Sequence, residues 1–315
     1  MSVLICGSMA FDNIMVFEGR FKDHILPDQV HILNVAFLVP EMRREFGGCA
    51  GNIAYNMKML AVRPQDEPVI MAAAGVDSDP YFERLKNLGL STRHVAVVPE
   101  TFTAQAFITT DLDDNQITAF HPGAMNFSQV NHVKDVEDVK LGIVAPDGRD
   151  GMLMHAREYA EAGVPFVFDP GQGLPMFGGD ELMDFIRMAG YVAVNDYEAK
   201  LIQDKTGSTI EALAKHVKAF VVTRGADGSH IYTDGQRIDV PSVKAAAVVD
   251  PTGCGDAYRA GLLYGIANDM PWAEIGRLAS IMGSMKIAQR GAQNHRMSRE
   301  EIGDLYAKSF GSRLW

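Results

Sequence analysis

Short apolar runs recur along this chain with helix-length amphipathic stretches between them, and that alternation constrains the fold more than any other feature. Val3–Cys6, Val69–Ala74, Leu141–Ala145, Pro165–Phe168, Tyr191–Val194 and Ala219–Thr223 are such runs, most of them bounded by Gly, Pro, Asp or Asn. A strand that is apolar at every position has both faces covered, as strands of a parallel sheet do. Gly51–Leu60, Pro80–Leu88 and Gly151–Ala162 read as covering helices. Ser78-Asp79-Pro80 opens the second of them, and Gly89 and Gly163 close the second and third. Repeated strand–helix units predict an α/β fold, doubly wound about a mostly parallel sheet. The C-terminal third adds a hairpin, Ser229–Thr233 and Arg237–Val240 around Asp234-Gly235, then long helices from about Cys254 onward.

Two segments break the alternation. Residues 14–46 hold β-rich pieces (Ile14–Phe17, Val30–Val39) without a crossover helix, and residues 94–120 read as His94–Val98, Thr103–Thr110 and Gln116–Phe120. Together they predict a small, mostly antiparallel sheet beside the main one, within a single domain spanning residues 1–315. It is either an edge decoration or a lid over the strand carboxyl ends, where open α/β sheets bind ligands.

Lys and Arg number 29 against 40 Asp and Glu, a net charge of −11. A field of that sign opposes nucleic-acid binding but leaves room for a small anion held by local amides. Cys6, Cys49 and Cys254 show no metal-ligand spacing, which points to a reduced cytoplasmic protein. The opening MSVLICGSMAFDN has no basic leader, and no stretch reaches the roughly 18 apolar residues of a membrane span.

The strongest chemical signal is Asp250-Pro251-Thr252-Gly253-Cys254-Gly255-Asp256, which follows the apolar run Ala245–Val249 and opens a long helix pattern. Gly-X-Gly at a helix start exposes backbone N–H groups at the positive end of the dipole, which makes an anion hole. Asp256 falls beside that hole, either as a base for a hydroxyl or as a carboxylate that the dipole favours. A second glycine-rich helix start, Gly47-Gly48-Cys49-Ala50-Gly51-Asn52, matches neither the dinucleotide fingerprint nor the Walker loop. Asp12 follows the first strand and can clasp vicinal hydroxyls or cap an element. Asn195 and Glu198 have the spacing of a capping box, and Thr223–Gly228 ends a core strand.

In order and spacing these motifs resemble the ribokinase/adenosine kinase, or PfkB carbohydrate kinase, family over essentially the whole chain. The resemblance implies a ribokinase-like large domain with a small β lid. It implies Asp256 as general base, with Gly253, Cys254 and Gly255 as the anion hole. Asp12, Gly48 and Asn52 would hold ribose hydroxyls. Asn195, Thr223, Gly225 and Gly228 would line the ATP site, and Glu198 would position Mg²⁺ through water. A monovalent cation such as K⁺ is common in the family, and Asp250 sits in the motif region concerned. Cys254 and Pro251 depart from the usual pattern. At a helix N-terminus a thiol such as Cys254 can have a lowered pKa, or it can be an inert buried thiol. Arg259 is basic where sugar kinases often are neutral, and can face phosphate, substrate or solvent.

The stretches around Asp12, Asn52 and His121-Pro122-Gly123-Ala124 are similar to those of bacterial adenosine and nucleoside kinases within the family. Phe11, Met15, Phe37, Phe107 and Phe120 could stack on a purine or form the lid's own core, and Gln172 could reach a base edge. The expected activity is therefore ATP-dependent phosphorylation of a nucleoside 5′-hydroxyl. A sugar or sugar-phosphate kinase is the alternative, with Arg20, Lys22, Arg43 and Arg44 as phosphate contacts. A non-catalytic ligand-binding protein of the same fold is another. The lid's exposed β edges suit pairing into a homodimer.

Overall fold

A computed structural model describes residues 2–25 and 34–315. The strands are β1 (Ser2–Cys6), β2 (Ala10–Val16), β3 (Glu41–Gly47), β4 (Pro68–Ala74), β5 (His94–Val97), β6 (Ala104–Thr110), β7 (Gln116–His121), β8 (Val139–Val144), β9 (Phe166–Phe168), β10 (Tyr191–Asn195), β11 (Ala219–Thr223), β12 (Ser229–Thr233) and β13 (Gln236–Val240). The helices are α1 (Cys49–Leu60), α2 (Asp79–Asn87), α3 (Arg149–Glu161), α4 (Gly179–Met188), α5 (Asp196–Thr206), α6 (Ile210–Leu213), α7 (Cys254–Ala267), α8 (Trp272–Lys286) and α9 (Arg299–Phe310).

Nine strands form the large sheet in the order β13-β12-β11-β10-β9-β8-β1-β4-β5. Pairing is parallel from β5 through β11, and the hairpin adds two antiparallel strands at one edge. Strand β1 shows why the apolar runs are continuous. Val3 and Ile5 enter a core shared with α1 and α7, while Leu4 and Cys6 enter the opposite core with α3 and α4. Both faces are dry from Val3 to Cys6, so these positions are all apolar. Chain order reverses between β1 and β8. In open α/β sheets the ligand crevice lies at such a switch point, beyond the strand carboxyl ends.

A separate four-stranded sheet has the order β3-β2-β6-β7, antiparallel except for the β2–β6 pair. Two expectations are corrected here. The β-rich piece placed at Val30–Val39 carries no strand over residues 34–39, and its first residues lie outside the described ones; the strand runs instead through Glu41–Gly47. His94–Val97, expected in the small sheet, is the parallel edge strand of the large one, paired to β4. Its alternating burial is that of an edge strand with one covered face, which a hairpin strand would share. Among the described residues no helix is long and apolar enough to cross a membrane.

Candidate active site

A cavity of about 480 Å³ opens at the switch point. The turn after β1 contributes Ser8, the turns after β8 and β9 contribute Asp147 and Gln172, and α1 and α7 enter by their N-termini. The small sheet closes the remaining side with Asp12 and Phe120. Of the residues expected at the site, Asp12, Gly48, Asn52, Gln172, Gly253, Gly255 and Asp256 all line this space. Asn52 and Asp256, 204 residues apart along the chain, share a hydrogen bond there.

Two glycines are needed for that convergence. Gly48 sits at φ 84°, and a Cβ there would lie 2.6 Å from the Ser8 carbonyl oxygen and the Ala10 nitrogen. Gly253 caps α7 in the left-handed region at φ 78°, where a Cβ would press on Ala292. The first turn of α7 carries no side-chain cap, and Gly255 faces open space. Uncapped first-turn N–H groups at a helix N-terminus are an anion site. Cys254 supplies no amide to it, because its N–H donates to the Pro251 carbonyl at 3.1 Å.

Asp256 lies in that first turn, and burial pushes its carboxyl up to about 7. Asn52 opposes the rise by donating from Nδ2 to Oδ2 of Asp256 at 2.8 Å, while the negative charge of Asp169 adds to it. The Asn52 amide is held in that orientation from behind. Gln293 Nε2 donates to Asn52 Oδ1 at 3.0 Å and to the Tyr81 hydroxyl at 2.7 Å, and Tyr81 donates to the Gly47 carbonyl at 2.6 Å. Asn52 therefore first orients the carboxylate, leaving its second N–H for a ligand hydroxyl. Sequence reasoning missed Gln293 and Tyr81, for which neither spacing nor composition gave a signal.

Asp12 follows β1, as expected, and lies inside β2, opposite Glu45 of β3. The small sheet thus carries it over the cavity. Burial raises its carboxyl to about 6, helped by Asp250 and Glu45. Asp147 was also missed. It is buried in the cavity wall, Oδ1 accepts from the Gly148 N–H at 2.9 Å, and Oδ2 has no partner. Burial pushes this carboxyl up to about 8, and the Gly148 N–H opposes the rise.

Burial decides among three sets of open readings. Arg259 faces neither phosphate nor solvent: it makes a buried two-point ion pair with Asp169 at 3.0 and 3.1 Å and also donates to the Ala193 carbonyl. The Cys254 thiol is half-buried. Burial pushes it up to about 11 despite Lys286, and Asp250 and Asp256 add to the rise. Of the five side chains offered for stacking, Phe120 lines the cavity. Phe11 packs on Phe46 and Tyr81, and Phe37 on Phe17 and Phe21.

Asn195, Glu198, Thr223, Gly225 and Gly228 do not enter the cavity. They form a neighbouring shelf along the same sheet edge, where Asn195 and Thr223 are register partners on β10 and β11. Asn195 accepts from the Glu198 N–H at 2.7 Å, and the Glu198 carboxylate accepts from the Asn195 N–H at 2.8 Å, a complete capping box. Burial raises the Glu198 carboxyl, with Asp169 adding and Arg259 opposing. Gly225, at φ 53°, has open space where a Cβ would stand. Behind the turn that precedes α7, Lys286 Nζ donates to the carbonyl oxygens of Asp250 (2.7 Å) and Gln289 (3.0 Å). The Asp250 carboxylate accepts from the Thr252 and Gly291 N–H groups, both at 2.9 Å.

Comparison with known proteins identifies the family and its relatives. The model of the pfkB family carbohydrate kinases matches residues 14–299. A nucleoside kinase of Methanocaldococcus jannaschii is 30% identical over 277 residues, covering 87% of this chain and 90% of its own. The Burkholderia thailandensis nucleoside kinase, solved in complex with inosine, superposes with a TM-score of 0.89 at 54% identity over 99% of both chains. Its structure with ADP and inosine gives 0.87 at 56% identity, covering 99% of this chain and 97% of that one.

Proposed function

The chain belongs to the pfkB family of carbohydrate kinases, and on that footing we propose that it is an ATP-dependent nucleoside kinase acting on the ribose 5′-hydroxyl of a purine nucleoside. The observation that carries this reading is Asp256: a carboxylate at the cavity floor, beside an open helix N-terminus, with its titration moved to about 7. A base poised near the working pH takes a proton most effectively from a hydroxyl.

In this reading Asp12, Gly48 and Asn52 hold the ribose, with the small sheet as a lid that excludes water. The 5′-oxygen attacks the γ-phosphorus of ATP in line, its proton passes to Asp256, and the phosphorus–oxygen bond to ADP breaks. First-turn amides of α7, Gly255 among them, stabilise charge on the transferring group. Gln172 and Asp147 supply polar contacts to the base, and Phe120 gives an apolar face.

The shelf at Asn195, Thr223, Gly225 and Gly228 takes the nucleotide. Among the described residues no group of three or more His, Cys, Asp or Glu side chains could hold a metal ion by itself. That fits Mg²⁺ carried in with the phosphates, since magnesium sites on nucleotides use few protein carboxylates and keep several waters. Glu198 is the carboxylate that would meet it, and the ion would neutralise phosphate charge during transfer. The four cations offered for the sugar-phosphate alternative each lie beside a carboxylate, and none of them lines the cavity. Arg20 and Lys22 pair with Asp113, Arg43 with Glu45 and Arg44 with Asp77. Exposed strand β7 supports self-association into a homodimer, and three unpaired cysteines support a reducing, cytoplasmic setting.

The test is ATP-dependent phosphorylation of adenosine, inosine, guanosine, cytidine, ribose, fructose and fructose 6-phosphate, with and without magnesium. Turnover of purine nucleosides above free sugars is expected. Preference for ribose or fructose 6-phosphate would overturn the account of the acceptor pocket.

A further inference from the structure

The family resemblance calls for a monovalent cation beside Asp250, and the residues there do not fit one. Backbone carbonyls are the ligands that replace the hydration shell of such an ion. Here the Asp250 and Gln289 carbonyls already accept from the Lys286 ammonium, at ordinary N–H···O distances. The Asp250 carboxylate is taken by two backbone N–H groups. We propose that Lys286 is a tethered cation that holds the anion-hole turn in place for phosphoryl transfer and makes this kinase independent of added K⁺. The proposal rests on the kinase reading above and deepens it.

Lys286 is the last residue of α8 and is fully buried, a rare state for lysine. A buried ammonium must be satisfied by acceptors, and both of its contacts are main-chain oxygens near a helix C-terminus, where the dipole favours positive charge. Asp250 is thereby tied on three sides to the segment that follows α8. Its carbonyl meets Lys286, its N–H donates to the Ile287 carbonyl at 3.1 Å, and its carboxylate accepts from Gly291. The Val249 N–H reaches the same Ile287 carbonyl at 2.9 Å. The turn continues into Gly253, which packs against Ala292 of that segment. Lys286 thus sets the spacing between the segment and the turn whose end presents Gly255 and Asp256. Burial pulls the ammonium's pKa down, and Asp250 and Cys254 oppose that pull. It touches no ligand, so it is a positioning residue.

The experiment compares the wild type with Lys286→Ala, which opens space for a small cation, and Lys286→Met, which fills the space without charge. Turnover at saturating nucleoside, nucleoside KM and thermal midpoint are measured in potassium, ammonium and choline chloride at equal ionic strength. Wild-type turnover and midpoint are expected to be the same in all three salts. Lys286→Ala in choline should lose about 100-fold in kcat with KM little changed, the scale of a lost oxyanion contact. Potassium or ammonium should restore about 10-fold of that loss and raise its midpoint, while Lys286→Met gains neither. Wild-type turnover that climbs several-fold in potassium overturns the proposal. So does a Lys286→Ala protein that is fully active in choline, or one that folds but responds to no cation in either rate or midpoint. If the wild type phosphorylates nothing, the kinase reading fails instead, and the midpoints still decide whether Lys286 occupies a cation's place.

Discussion

Replacing Asp256 by Asn tests the chemistry and the physical origin of the poised carboxylate together. Burial raises this carboxyl from its ordinary 3.8 to about 7. The folded protein therefore binds that proton more tightly than the unfolded chain does, so stability falls as pH rises between the two values. At about 1.4 kcal/mol per pH unit the full cost is about 4 kcal/mol, complete above about pH 7 and absent below about pH 4. Asparagine keeps the size and the contact with Asn52 but does not titrate. Relative to the wild type, Asp256→Asn should gain up to about 3 kcal/mol of stability between about pH 5 and pH 8, water in the open cavity making that a ceiling. Its turnover should fall at least about 100-fold while nucleoside binding persists. Urea unfolding of both proteins at the two pH values measures the first quantity, and initial rates with calorimetric binding measure the second. An equal stability gap at both pH values would refute the claim that burial sets this proton affinity. Near-wild-type turnover would refute the role as base.

Asn52→Leu removes the N–H that favours ionised Asp256, so the acidic limb of the pH–rate profile should move upward by about one pH unit; an unmoved limb would contradict the 2.8 Å contact. Burial pushes the Asp147 carboxyl up to about 8, so a hydrogen bond that it donates to the base would be lost as pH rises through that value. Wild-type nucleoside KM should therefore rise above about pH 8 with kcat little changed, whereas Asp147→Asn, a permanent donor, should show a flat KM across that range. Arg259→Met leaves Asp169 buried without its partner and should cost about 3–5 kcal/mol in a denaturant titration, with Asp169→Leu added on top recovering much of it; a cost below about 1 kcal/mol would mean that the pair is hydrated.

Local rules carried far in this chain. The doubly covered sheet is legible in β1 because residues of opposite parity enter opposite cores, which forbids polar alternation. The Asn195–Glu198 box and the Asp234-Gly235 hairpin are set by contacts within a few residues, so spacing alone finds them. Asp256 was legible because a glycine turn and a helix start are both local. What escaped is what only the closed fold creates. Strand β5 was assigned to the wrong sheet because partner choice depends on β4, outside its own segment. Gln293 lies 241 residues from the Asn52 it orients. Arg259 and Lys286 look like surface charges on a helix until burial shows that each must find an acceptor. Asp147 drew no notice because a carboxylate beside a proline and a glycine reads as an ordinary turn.

The division between the two sheets has a consequence for retargeting. Gly7, Ser8 and Met9 alone separate a strand of the large sheet from one of the small sheet. Asp12 and Phe120 ride on the small sheet, whereas Asp256 and the open first turn of α7 belong to the large body. Exchange of the small sheet's strands would change which alcohol is admitted while leaving the reacting groups in their frame. The architecture is in that sense modular. An exchange has to keep Gly47 at the end of β3, whose carbonyl anchors Tyr81 and through Gln293 the amide of Asn52, and Gln172 and Asp147 stay with the large body as the constant part of the acceptor wall.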